Sequence, residues 1–130
     1  MVFSYRKLIV WQKAMQLTEI VYEALKKFPP EERYALSDQL RRAVVSIASN
    51  IAEGAGRASN KDYAHFISIA RGSVYETMTQ LETAVRIGYI TSTDLISKFE
   101  PLAAEIVRML GSMLKKYGAI RCSTSTSDFD

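Results

Sequence analysis

The side chains able to do chemistry are few. Asp62-Tyr-Ala-His65 sets a carboxylate and an imidazole three residues apart, a spacing that puts both on one helix face. Helical di-iron sites use such pairs, as two Glu-x-x-His motifs joined by two further inward carboxylates. The chain has one His and no second motif, so the inventory rules out that centre, and His65 reads as a surface or boundary residue. Gly54-Ala-Gly56-Arg57 resembles a fragment of a phosphate loop. No strand precedes it and no Gly-Lys-Ser/Thr follows, so it reads as a helix break. Ser46, Ser73 and Cys122 have no base in their sequence neighbourhood, and a hydrolase built on any of them would depend on His65. Met78, Met109 and Met113 fall at core spacing and read as filler. A single Cys leaves no internal disulfide and no cysteine-rich zinc site. These residues predict a protein that is not an enzyme, with no metal, no cofactor and no small-molecule substrate.

The elements around these side chains are more legible. At 130 residues, with 48% hydrophobic and 24% charged, the chain has the size and composition of one globular domain. The apolar stretch near Met1 is short and followed by charges, unlike a signal peptide. No run approaches the ~18 apolar residues of a membrane span. With an unpaired Cys122, a reducing cytoplasm is the expected compartment.

Apolar residues at steps of three and four predict four helices. The first runs from Tyr5 or Leu8 to Lys27, with a stripe of Leu8, Trp11, Ala14, Met15, Thr18, Val21, Tyr22, Leu25 and Phe28. The second starts at Pro30-Glu31-Glu32, where Pro and two acids suit a helix start, and ends at Gly54-Ala55-Gly56 in a left-handed glycine cap. The third follows Ser59, with Asp62 in a capping-box position, and ends at Gly88. The fourth starts in Thr91-Ser92-Thr93-Asp94 and runs to Tyr117. Pro101 either kinks it or marks its true start. Four such segments with short breaks predict an all-α, up-down-up-down antiparallel four-helix bundle over residues 1–118. The polar segment 119–130 predicts a disordered tail.

Two further patterns bear on function. Gln39, Arg42, Ser46, Asn50 and Glu53 on the second helix, and Gly72, Ser73 and Glu76 on the third, trace a polar stripe beside the apolar one. It is either a solvated face or a polar seam between helices or subunits. In the seam, Arg42 pairs with Glu76, and Gly72 permits close backbone approach. The second pattern is charge. The net charge is +3, and all of the excess falls in the first thirty residues. Arg6, Lys7 and Lys13, joined by Arg41, Arg57, Lys61 and Arg71, form a candidate phosphate-contacting surface.

The run Gln39-Leu-Arg-Arg-Ala-Val-Val-Ser-Ile-Ala-Ser-Asn-Ile-Ala-Glu-Gly-Ala-Gly-Arg57 resembles the bacterial proteins encoded in 23S rRNA intervening sequences. Val10-Trp-Gln-Lys-Ala14, Phe28-Pro-Pro-Glu-Glu32, Phe66-Ile-Ser-Ile-Ala70, Gly72-Ser-Val-Tyr-Glu76 and Gly88-Tyr-Ile90 extend the likeness over nearly the whole ordered chain. The resemblance implies a four-helix bundle assembled as a homopentamer, with no established catalysis. It also implies kinship with the accessory variability proteins of diversity-generating retroelements, which bind nucleic acid and partner a reverse transcriptase. On that basis the expected partners are further copies of the chain, DNA or RNA, and a reverse transcriptase. The polar-stripe residues become structural or interface positions.

Overall fold

The computed structural model describes residues 3–118, and every regular element in it is helical. The expected disordered tail, with Cys122, lies outside the described residues. A 3-10 turn (Ser4–Lys7) leads into α1 (Ile9–Leu25). Then come a 3-10 turn (Pro30–Glu32), α2 (Leu36–Ala55) and α3 (Asn60–Ile87). The last segment opens with one turn (Ser92–Asp94), widens into a π-turn (Leu95–Phe99) and continues as α4 (Glu100–Tyr117). The helices pack in chain order around one core, α1 on α2, α2 on α3, α3 on α4, and α4 back on α1. No described helix is long and apolar enough to cross a membrane.

The caps follow the sequence closely at three places. Ser59 Oγ accepts the Asp62 N–H at 3.1 Å, and Thr91 Oγ1 accepts the Asp94 N–H at 3.0 Å. Gly88 turns left-handed at φ 101°, and Tyr89 N–H bonds the Ala84 carbonyl at 2.8 Å, which closes α3 as a Schellman motif.

Two expectations need correction. α2 does not start at Pro30, because Pro30–Glu32 forms its own 3-10 turn and α2 begins at Leu36. Glu32 still serves it: one carboxylate oxygen accepts the Leu36 N–H at 3.3 Å and the other accepts the Tyr89 hydroxyl at 2.7 Å. The bond to Glu32 raises the Tyr89 phenol above its usual pKa. Gly56 ends α2 at φ −86°, with no left-handed cap. Of the two readings of Pro101 the second holds: it marks the true start of α4, as its second residue, with residues 92–99 a separate turn before it. It lacks the N–H that an α-helical bond requires, and the chain widens into the π-turn just before it while staying helical.

The core also departs from the first stripe. Leu17 is fully buried and Val10 nearly so, whereas Met15 and Tyr22 are 37% and 40% exposed. The buried face of α1 is Val10, Ala14, Leu17 and Val21, rotated from the expected one. The second-helix stripe that the spacing predicts, Leu36, Leu40, Ala43, Val44, Ile47, Ala48 and Ile51, holds throughout, with Leu40, Val44, Ile47 and Ile51 fully buried.

The glycine contacts reverse a second expectation. A Cβ at Gly72 would meet nothing within 4 Å, so no helix approaches there. A Cβ at Gly54 would lie 2.9 Å from Phe66 Cβ and 3.0 Å from Tyr63 Cδ1. The close crossing of α2 and α3 is therefore at Gly54. Gly72→Ala is expected to raise stability by about 0.5–1 kcal/mol by removing backbone freedom from the unfolded chain. Gly54→Ala is expected to lower it by about 1–3 kcal/mol through overpacking. Urea midpoints moving in opposite directions would confirm the pair of assignments, and the same sign for both would refute them.

Candidate nucleic-acid interface

The up-down topology brings the start of α1, the α2–α3 turn and the end of α4 to one end of the bundle. Packing fixes that junction. α2 and α3 close at Gly54, and Tyr63 at the start of α3 stacks on Tyr117 at the end of α4, ring centroids 4.4 Å apart. Burial, with the neighbouring Tyr117, raises the Tyr63 phenol pKa. The 3-10 turn before α1 packs on α2, with Tyr5 against Trp11 at 5.1 Å. This end carries Arg6 and Lys7, Arg57 and Lys61, and Lys115 and Lys116. Among the described residues its carboxylates are Glu53, which binds Arg57 at 2.8 Å, and Asp62. Arg57 also lies over the Phe66 ring at 4.7 Å, and Arg6 over the Phe3 ring at 5.7 Å. The result is a cationic surface edged with aromatic rings.

The opposite end is balanced. Lys26, Lys27, Arg33, Arg86 and Lys98 there stand among Glu23, Glu31, Glu32, Glu82, Asp94 and Glu100. The excess charge of the first thirty residues is therefore not one patch. Arg6 and Lys7 lie at one end, Lys26 and Lys27 at the other.

Of the sequence candidates, Arg6, Lys7, Arg57 and Lys61 come together, and Lys13, Arg41 and Arg71 do not join them. Lys13 is paired with Glu105 across α1 and α4, and Arg41 bonds Asp38 at 3.4 Å in the other half of the bundle. Arg71 stands mid-helix on α3, its guanidinium 6.0 Å from the Tyr75 ring centre. Lys115 and Lys116 were missed. Their signal was topological: the last turn of the fourth helix must return to the end that holds the α2–α3 turn.

The Lys13 hydrogen bond, aided by the Lys13 and Arg108 charges, holds the Glu105 carboxyl below its usual pKa against a smaller effect of burial. A depressed carboxyl contributes stability that is full above the ordinary carboxylate range and is lost as pH falls through the folded value. Glu105→Gln is therefore expected to flatten the loss of stability on acidification. Thermal midpoints followed from pH ~6 to ~3 check this. A variant curve parallel to the wild type refutes the assignment.

The polar stripe splits in two. Gln39, Ser46 and Ser73 belong to a seam between α2 and α3, and Asn50 beside them bonds back along its own helix. Ser46 and Ser73 hydroxyls bond each other, Ser73 donates to the Ile69 carbonyl at 3.2 Å, and Asn50 donates to the Ser46 carbonyl at 2.8 Å. Gln80 donates to Gln39 at 3.5 Å, and its own Oε1 is buried without a partner. Arg42, Glu53, Gly72 and Glu76 are exposed. The Arg42–Glu76 pair does not form, because Arg42 bonds Asp38 at 3.0 Å, one turn back on its own helix. With their hydroxyls engaged by each other and by backbone carbonyls, Ser46 and Ser73 serve packing. His65 is exposed and lies edge-on to Phe66 at 5.5 Å, at the cationic end. Among the described residues, no three His, Cys, Asp or Glu side chains group to hold a metal ion.

No curated protein matches the chain. Among solved structures, a protein of unknown function of the S23 ribosomal protein family from Bacteroides thetaiotaomicron is 28% identical, with a TM-score of 0.75 over 82% of this chain and 99% of that one. The model of the 23S rRNA-intervening sequence proteins matches residues 6–112, a span that holds the α2–α3 seam, the Gly54 crossing and most of the cationic end. The chain belongs to the 23S rRNA-intervening sequence protein family.

Proposed function

We propose that this chain is a non-enzymatic, homo-oligomeric bundle, five copies to a particle, that binds nucleic acid through its cationic end. The observation that carries the reading is the gathering of Arg6, Lys7, Arg57, Lys61, Lys115 and Lys116 at one end, while among the other described residues charge is close to balanced. A net charge of +3 is weak for one chain, but five copies carry about +15, and the field adds where the cationic ends neighbour one another. Aromatic rings at the same end suit contact with bases, although no module for reading base edges accompanies them.

The test is equilibrium binding of labelled RNA and duplex DNA against salt concentration. Retention is expected to fall steeply, with log K linear in log salt at about −0.9 per neutralised phosphate on duplex. Weak, salt-insensitive retention would sink the reading. If a reverse transcriptase or another protein then co-purified, the chain would be an adaptor.

A further inference from the structure

Rings and cations meet repeatedly at the cationic end. In the 3-10 turn before α1, Arg6 stands 5.7 Å from the Phe3 ring centre and 6.0 Å from that of Tyr5. Arg57, just past α2, lies 4.7 Å over Phe66 in the second turn of α3, with His65 edge-on to the same ring. Lys116, in the last turn of α4, lies 5.3 Å over Tyr117. Three segments far apart in sequence thus each bring a cation and a ring to one surface. Two of these groups are well open to solvent: Phe3 is 54% exposed, and the Arg57 side chain 44%. Arg57 is also bonded by Glu53 at 2.8 Å, so its guanidinium is held over Phe66 before any ligand arrives.

The two forms of nucleic acid make different demands on such a surface. A single strand alternates phosphates with flat bases whose faces are open. Cations track the first, and rings or guanidinium planes stack on the second whatever the base. In a duplex the base faces are covered by neighbouring pairs, and a protein reads the base edges with a helix or ribbon laid into a groove. This end offers no such element. α1, α2, α3 and α4 all meet it with their termini, and its cations stand on a 3-10 turn, on the α2–α3 connection and in terminal turns. Cations alone would serve duplex phosphates equally well. The rings beside them are what a duplex cannot use.

We infer that the cationic end takes nucleic acid as a single strand, with unpaired bases stacked on Phe3 and on the Arg57–Phe66 pair and with phosphates held by Arg6, Lys7 and Lys61. The inference rests on the nucleic-acid reading of this end and names the form of the ligand. Tyr63 and Tyr117 are not platforms for bases, since they stack on each other and join α3 to α4. The rings meet base faces and the cations meet phosphates, so neither group reads the 2′-hydroxyl, and DNA and RNA strands both serve.

Fluorescence anisotropy of the full chain is the test. It compares a labelled mixed-sequence single strand with the duplex formed on its complement, as DNA and as RNA. Either single strand is expected to bind about tenfold or more tighter than its duplex. Phe3→Ala with Phe66→Leu is expected to weaken single-strand binding by about tenfold or more and to leave duplex binding within a few-fold. The salt slope is expected to stay the same, because no charge is removed. Leu at 66 keeps an aliphatic Cβ and branch against Gly54. Phe3→Ala alone, at an exposed site ahead of α1, gives the same contrast if the double variant does not fold. Duplex held as tightly as single strand, or a ring variant that loses both forms equally, would overturn the single-strand assignment and leave the end as a phosphate-binding surface. Binding of strands of one sugar only would overturn the stacking assignment. Salt-insensitive retention of every form would overturn the nucleic-acid reading itself.

Discussion

Leu17→Ala is expected to cost about 2–5 kcal/mol of folding stability, against about 1 kcal/mol for Met15→Ala. Leu17 is fully buried against the core and cannot be truncated without leaving a cavity. Met15 is 37% exposed on the wall of the α1–α2 groove, so its removal returns less apolar area to water and leaves no enclosed void. Chemical denaturation measures both, and the expected change is in the midpoint with the slope held. Equal losses would mean that α1 buries the Trp11–Met15–Tyr22 side that periodicity alone favours.

The reason periodicity misplaced that face is physical. α1 is apolar on more than one side: Ile9, Val10, Trp11, Ala14, Met15, Leu17, Ile20 and Val21 all recur within it, so several stripes fit the same spacing. α2 has one apolar side opposed by Asp38, Arg42, Ser49 and Glu53, and there every stripe position is at least half-buried. Caps at Ser59, Thr91 and Gly88 were legible because each is a local bond or a local φ. The Gly54 crossing was not, because a glycine that ends a helix and one that admits a neighbouring helix look alike in sequence. Gly72 was misread for the converse reason, since a mid-helix glycine suggests a close approach that only packing can show. The ion pairs failed similarly. Arg42 has Asp38 one turn back and Glu76 on another helix, and the short-range partner wins because it orders fewer degrees of freedom.

The cationic end was half legible, and its energetic weight can be measured directly. Neutralising Lys7, Lys61 and Lys116 together removes three charges from the cationic end. All three are exposed, and none makes an ion pair among the described residues, so stability should change by less than about 0.5 kcal/mol per site. Counterion release makes each lost phosphate contact worth about tenfold at 0.1 M salt, relative to 1 M where the term vanishes. The triple Lys→Gln variant is thus expected to lose on the order of a thousandfold in affinity if all three touch phosphate, with a salt slope shallower by about three. The matched control neutralises Lys27, Arg33 and Arg86 to Gln, exposed cations of the balanced end, and changes the net charge by the same amount. Binding by that control is expected to stay within a few-fold of wild type, because charges at the far end of the bundle lie beyond a Debye length of about 10 Å at 0.1 M salt. Equal losses in the two variants would show that affinity follows net charge alone and that the cationic end is not the site.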